Sequence, residues 1–353
     1  MGGVSGVELL YAAKKASTWG TAVACGALNG FLSRPSGIKE ASDVEVDDSL
    51  GLYFSGDGTP NAVKCDGDIP AYLRYAGMEL LLAMAMGTAG VPVTHAAGTL
   101  SKDYVYKPAK SLDGKFITFV KHMKNYIAEV PSVKVTGFTI KGEVGKPLEL
   151  ILNTTGCFIN KNTSTGINTL TTANNITIAC TDKRVQFSQC VFRMNDQSAI
   201  ALAPGDQIYP SSFELSFQRK MTGVYGSMTV GTTAKRDVID EPTNDGLPEI
   251  GLKLGFPRHT SATMLTALGN DTRKKLDITA TGPIIETTIP YLFMLQFPHL
   301  QIKNVDVVDE QGIIKEPIDF ICHSASVAPA GMTGITDPFW LSGTNTLATD
   351  PLA

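Results

Sequence analysis

Apolar residues recur at every second position in several stretches of this chain, and those stretches set its fold class. Phe213, Leu215 and Phe217 alternate with Glu214, Ser216 and Gln218, and Ile250, Leu252, Leu254 and Phe256 give the cleanest alternation of all. A period of two puts one set of side chains on one face, the mark of a half-buried strand. Val44 and Val46, then Leu50, Leu52 and Phe54, follow the same rule and lead to a turn at Gly56-Asp57-Gly58. Further strands are predicted at Lys102–Lys107, Phe116–Met123, Thr177–Thr181, Val191–Met194, Lys275–Thr281 and Tyr291–Phe297. Two stretches read as helices. One is Gly77–Met86, stopped by Gly87; the other carries Met264, Leu265 and Leu268, N-capped by Thr260 or Ser261 and closed by Gly269.

One strand pattern occurs twice. Residues 130–152 read VPSVKVTGFTIKGEVGKPLELIL, and residues 297–322 read FPHLQIKNVDVVDEQGIIKEPIDFIC. A constant offset of 167 aligns Pro131 with Pro298, Val133 with Leu300, Val135 with Ile302, Phe138 with Val305, Ile140 with Val307 and Gly145 with Gly312. After three extra residues in the later loop, Pro147 aligns with Pro317, Glu149 with Asp319 and Leu150 with Phe320. Each copy reads as a hairpin, the first turning at Glu143–Gly145, and the phase slip beside Gly137 predicts a bulge. Each half of the chain then runs strand, strand, helix, strand, hairpin. The expected organisation is an N-terminal arm (1–42), a first β module (43–205), a second (206–328) and a C-terminal arm (329–353). The first arm has little apolar periodicity beyond Val7, Leu10 and Tyr11, and residues 153–175, rich in Asn and Thr, read as an exposed loop.

At 353 residues the chain has room for two domains of ordinary size. Its charged fraction of 18% lies below the usual quarter or so, which suits a chain that buries surface against copies of itself. The net charge of −4 offers no basic footprint for gripping nucleic acid. Six cysteines without CxxC spacing, and a Met1-Gly2-Gly3 opening with no apolar leader, imply synthesis in a reducing cytoplasm with the cysteines as small hydrophobes. The apolar run Tyr75–Val93 contains Glu79, Gly77, Gly87, Gly90 and Pro92, so it reads as a core helix and not as a membrane span.

Enzyme constellations are scarce. The five histidines show no HExxH or HxH spacing. His259 reads as a loop histidine, and His323 and Ser324 are strand neighbours that point to opposite faces. Gly142-Glu143-Val144-Gly145-Lys146 lacks the spacing of a phosphate loop and joins two strands. Asp306, Asp309 and Glu310 read as a solvated loop; in the run Asp43, Glu45, Asp47, Asp48 the spacing puts Asp43, Glu45 and Asp47 on one strand face, turned to solvent or to a lumen. No catalytic residue, cofactor or metal ligand is expected.

Three segments carry a family resemblance. Lys15-Ala16-Ser17-Thr18-Trp19-Gly20-Thr21-Ala22 is similar to a common opening of the major tail tube proteins of long, non-contractile-tailed bacteriophages, with Ala16 at or near the place of its acidic residue. The hairpin Val133–Leu150 is similar to that family's strand–turn–strand unit. Gly255-Phe256-Pro257-Arg258, followed by residues 317–325, is similar to its closing strands. The resemblance spans most of residues 10–326. It implies a mainly β fold of tandem β-sandwich or partly rolled barrel modules, each with one short flanking helix, plus terminal arms. It further implies rings that close edge to edge, stack into a tube and conduct DNA from the virion without specific binding. Assembly is expected in the host cytoplasm, with other tail proteins as partners and no membrane. Two modules per chain favour a trimer with pseudo-sixfold symmetry over a hexamer. Glu149 and Asp319 are the candidate lumen-facing acids, and Trp19 and Trp340 the candidate inter-subunit arm residues. The alternatives are another tail component (tip, terminator or decoration subunit) and, further off, a carbohydrate-binding adhesin.

Overall fold

The computed structural model describes residues 9–47, 54, 58–161, 166–178, 183–230, 233–235 and 237–353. The readings above that fall on Val7, Asp48, Leu50, Leu52, Gly56, Asp57, Cys180 and the end of the Thr177–Thr181 strand lie outside those residues.

Strands dominate, as the alternation predicts. The first half holds β1 (Leu9–Ala16), β2 (Gly30–Phe31), β3 (Lys39–Glu45), β4 (Thr59–Tyr72), α1 (Glu79–Met86), β5 (Lys102–Tyr106), β6 (Phe116–Met123), β7 (Tyr126–Glu143) and β8 (Glu149–Gly156). The second half holds β9 (Cys190–Asp196), β10 (Gln207–Ile208), β11 (Ser212–Gln218), β12 (Glu249–Phe256), α2 (Thr263–Gly269), β13 (Lys274–Glu286), β14 (Ile289–Val305), β15 (Val308–Glu310), β16 (Ile313–Cys322) and β17 (Trp340–Asn345).

Both halves pair their strands in the same order. β1 lies between β2 and β6, and β9 between β10 and β13. β7 pairs with β6 along its first half and with β8 along its second; β14 does the same with β13 and β16. β8 continues to β4 and β3, while β16 continues to β12 and β11. Even the irregularities coincide. The predicted bulge falls between Val135 and Gly137, and a second falls between the aligned residues Ile302 and Asn304. A further pair of shifts lies between Ile117 and Phe119 on β6 and between Lys274 and Leu276 on β13. The two modules join where β7 pairs with β11, Gly137–Glu143 against Gln218–Ser212. This makes one continuous sheet in the order β3–β4–β8–β7–β11–β12–β16–β14.

The core sits at that joint. Phe339 is fully buried with its ring centroid 5.4 Å from Phe217, 6.0 Å from Phe297 and 6.1 Å from Phe138, so it ties both modules together. α1 is buried from Leu81 to Met86 and stops at Gly87, whose φ of 82° favours glycine. Glu79 in its first turn accepts from Gly77 N (2.8 Å) and Asn345 Nδ2 (2.9 Å), and burial pushes its carboxyl up.

Four expectations are corrected. Residues 153–156, read as the start of an exposed loop, continue β8, and Cys157, Asn168 and Ala173 beyond them are buried. The terminal segments are not free arms. β1 pairs along its whole length with β6, and β17 is inserted between β14 and β5. β1 hides its role because Ala12, Ala13 and Ala16, small and weakly patterned, carry much of its buried face. Residues 190–205, counted with the first module, include β9, which pairs with β13 of the second. Helix α2 ends differently: Ala262 takes the N-cap with no side-chain bond, Gly269 is its last residue, and the left-handed turn falls on Asp271 at φ 51°. Asn and Asp tolerate that conformation because their short polar side chains bond locally.

Candidate functional site

The long sheet has one face in the core and one turned outward. On β8, Leu150, Leu152 and Thr154 are buried while Glu149, Ile151 and Asn153 are not; on β11, Phe213, Leu215 and Phe217 point in and Glu214, Ser216 and Gln218 point out. The register then assembles a single row of charges across five strands of the outer face. Glu149 lies opposite Lys141, Lys141 opposite Glu214, Glu214 opposite Lys253, and Lys253 opposite Asp319. Arg34 extends the row, 3.1 Å from Glu149 and stacked over Tyr72. Lys141 Nζ is 3.3 Å from Glu214. Signs alternate along the row, and its three cations balance its three anions. An open groove of about 560 Å3 follows it, lined among others by Lys141, Glu149, Glu214, Lys253 and Asp319.

The neighbouring row, Ile151, Thr139, Ser216, Gly251 and Ile321, carries no charge. Beyond it Asn153 donates to Asp68 (3.1 Å) and accepts from Gln218 (2.8 Å), and Glu249 pairs with Lys220 at 2.8 Å. Exposed ion pairs of this kind are screened by water and salt and add little to stability. Their consequence is electrostatic: each cation of the row faces a carboxylate, so the face offers phosphate groups no cluster of uncompensated positive charge.

Glu149 and Asp319 thus share one face and one row, but they are not counterparts in the two modules. Glu149 faces Lys141, and Val308, aligned with Lys141, faces Lys315. Asp319 faces Asn304, aligned with Gly137, which faces Asn153. The counterpart of Glu149 is therefore Lys315, four residues before Asp319. An even slip preserves the inward and outward faces, so the sequence pattern cannot register it.

The remaining candidates are held within their own chain. Trp19 donates to Val238 O at 3.3 Å and meets Phe116 edge-on at 5.4 Å. Trp340 donates to Asp337 at 2.8 Å, with Lys107 Nζ 3.8 Å from its ring centroid. His259 Nδ1 is 3.0 Å from the buried Glu316, and His95 Nδ1 is 2.9 Å from Asp103. Lys146 pairs with Glu143 across the first hairpin turn at 2.7 Å. Of the acidic loop, Asp309 accepts from Gly312 N, Asp306 from Asn304, and Glu310 pairs with Lys315. Asp43 pairs with Lys64 and Glu45 accepts from Asn61, with a register shift between Ser42 and Val44 interrupting their alternation. Burial pushes the Cys25 and Cys190 thiols up to about 12. Among the described residues no group of three or more His, Cys, Asp or Glu is placed to hold a metal ion, and no helix is long and apolar enough to cross a membrane.

Sequence reasoning missed Lys141, Glu214, Lys253 and Arg34. Lys141, Glu214 and Lys253 each sit at an outward position of a strand that the alternation identified, and Arg34 lies between β2 and β3. Their meeting in one row depends on the pairing of β7 with β11 and of β12 with β16, strands distant in sequence.

Comparison with known proteins accords with this geometry. No curated protein matches the chain. The family model for phage tail tube protein matches residues 6–322, nearly the whole of both modules. The chain belongs to the phage tail tube protein family and is a structural protein of the phage tail.

Proposed function

We propose that the chain is the repeating subunit of the tube itself: copies close into rings, rings stack, and the outward face of the long sheet lines the channel through which DNA leaves the virion. The observation that carries this reading is the β7–β11 joint. It places two modules of like topology side by side in one sheet, so one chain supplies two adjacent segments of a wall. Six such segments need three chains, which is the pseudo-sixfold trimer. Head-to-tail contacts of this kind close into rings when the rotation allows, and closure removes the exposed sheet edges.

The charge row suits passage. Glu149 and Asp319 are the proposed lumen acids, and with Glu214 they compensate Arg34, Lys141 and Lys253. A duplex would slide over such a surface with few phosphate contacts to break. The role needs no catalysis and no cofactor. Trp19 and Trp340 are engaged inside the chain, which gives a carbohydrate-binding surface no support. Negative-stain microscopy of the purified protein tests the proposal. Hollow stacked tubes are the expected result; single rings that never stack would indicate a tip or terminator subunit, and a persistent monomer would overturn the reading.

A further inference from the structure

Along the two hairpins the apolar core residues are buried in corresponding pairs, Val135 with Ile302 and Phe138 with Val305 among them, up to the tip. Val133 and Leu300 are fully buried, as are Leu152 and its counterpart Ile318. At the tip of the hairpin the match fails. Ile140 and Leu148 are 0% and 1% exposed in the first module, whereas their counterparts Val307 and Ile314 are 45% and 51% exposed. The first tip is covered by β11 and by the segment before β9: Ile140 lies opposite Leu215, and Phe213 and Phe187 crowd Gly142 beside Leu148. The second tip stands at the end of the sheet, where the described residues of the same chain supply no β11-like strand.

The internal joint shows which strand belongs there. β11 pairs with β12 as β3 pairs with β4, and following the registers through β16 and β8 makes Lys39 the counterpart of Ser216. Ser216 faces Thr139, and the residue aligned with Thr139 is Asp306. Lys39 and Asp306 are both exposed and of opposite charge. The same register sets the partly buried Ile38 opposite the exposed Val307.

We infer that the edge 304–310 of one copy pairs antiparallel with the edge 35–41 of the next, Lys39 opposite Asp306, repeating between chains the seam that β7 and β11 make within one. The inference rests on the tube reading and adds the two edges, their register and the occupant of the exposed tip: a second copy of this chain. The exposed Val307 is covered in the same step, and Ser36 N–H and Ile38 N–H, which donate to Tyr11 Oη and Ser36 Oγ within the single chain, exchange those partners for bonds of the seam.

Disulfide trapping tests it. A chain carrying Lys39→Cys and Asp306→Cys, assembled and then oxidised, is run on a non-reducing gel beside an off-register control carrying Lys39→Cys and Glu310→Cys, displaced by about 13 Å along the strand. Most chains of the in-register variant are expected in covalent multimers that reduction dissolves, and the control is expected to stay monomeric. Mixing copies that carry only Lys39→Cys with copies that carry only Asp306→Cys is expected to give covalent dimers and nothing larger. Cys25, Cys65, Cys157 and Cys322 are buried, and the unmodified chain run on the same gel sets the background from the native cysteines. If microscopy shows tubes or rings and the in-register pair cross-links no better than the control, the seam is wrong while the tube reading stands. If the unmodified chain forms neither rings nor tubes, the tube reading falls and the seam with it.

Discussion

At the scale of single residues, the molecule depends on a few side chains that join distant parts of the chain. Phe339 comes from the segment expected to be an arm, yet it fills the space between Phe138, Phe217 and Phe297. Phe339→Ala is expected to cost about 3–5 kcal/mol, the range for truncating a buried aromatic, and thermal or denaturant unfolding will measure it. Glu286 works differently. Its carboxylate accepts from the backbone N–H groups of Thr99, Leu100 and Ser101 and from two hydroxyls, which hold it from the ordinary 4.5 down to about 2. A depressed carboxylate stabilises the fold above its unfolded value and loses that effect as pH falls through the folded one. Amides 99–101 should therefore exchange faster as pH drops from about 4.5 toward 2, once intrinsic rates are corrected. In Glu286→Gln the protection is expected to be low at every pH.

At the scale of elements, the bulged strands decide how the modules meet. The first bulge brings Gly137 against β11, where an added Cβ would lie 2.3 Å from Phe217 O. That neighbour is backbone and cannot swing aside. Gly137→Ala is expected to destabilise by about 1–3 kcal/mol, the usual cost of overpacking, and to open the joint to limited proteolysis before the rest of the protein yields. The excursion between β11 and β12 folds back on the first module, where the fully buried Lys134 bonds Glu241 and Pro242 O, each at 2.6 Å. Lys134→Met is expected to release this excursion, seen as new cleavage sites within 219–248 at unchanged secondary structure.

For the whole molecule the decisive property is the balance of charge on the sheet's outer face. Glu149→Gln, Glu214→Gln and Asp319→Asn together leave Arg34, Lys141 and Lys253 without carboxylate neighbours in their row. On the proposed tube reading, this variant is expected to retain DNA at low salt and release it as salt rises, because each uncompensated cation adds a counterion-dependent phosphate contact. Filter binding across a salt series will show it, and indifference to salt would remove the electrostatic account of passage. The family was legible from the opening around Trp19, the hairpin with its bulge beside Gly137, and Gly255–Arg258. β1 and β17 were not, since alanine-rich or short strands give weak alternation, and what buries them is a partner far along the chain.

Sequence alone determined the local grammar: period-two strands, two short helices and a hairpin pattern written twice. These are short-range properties, written in the order of apolar and polar side chains. Tertiary structure decided the pairings. It moved the counterpart of Glu149 from Asp319 to Lys315, set both acids in one row with Lys141, Glu214 and Lys253, and left Val307 and Ile314 uncovered where Ile140 and Leu148 are buried. The reason is that a register shifted by an even number of residues preserves every inward and outward position. Only the hydrogen-bonded ladder between distant strands distinguishes one such register from another.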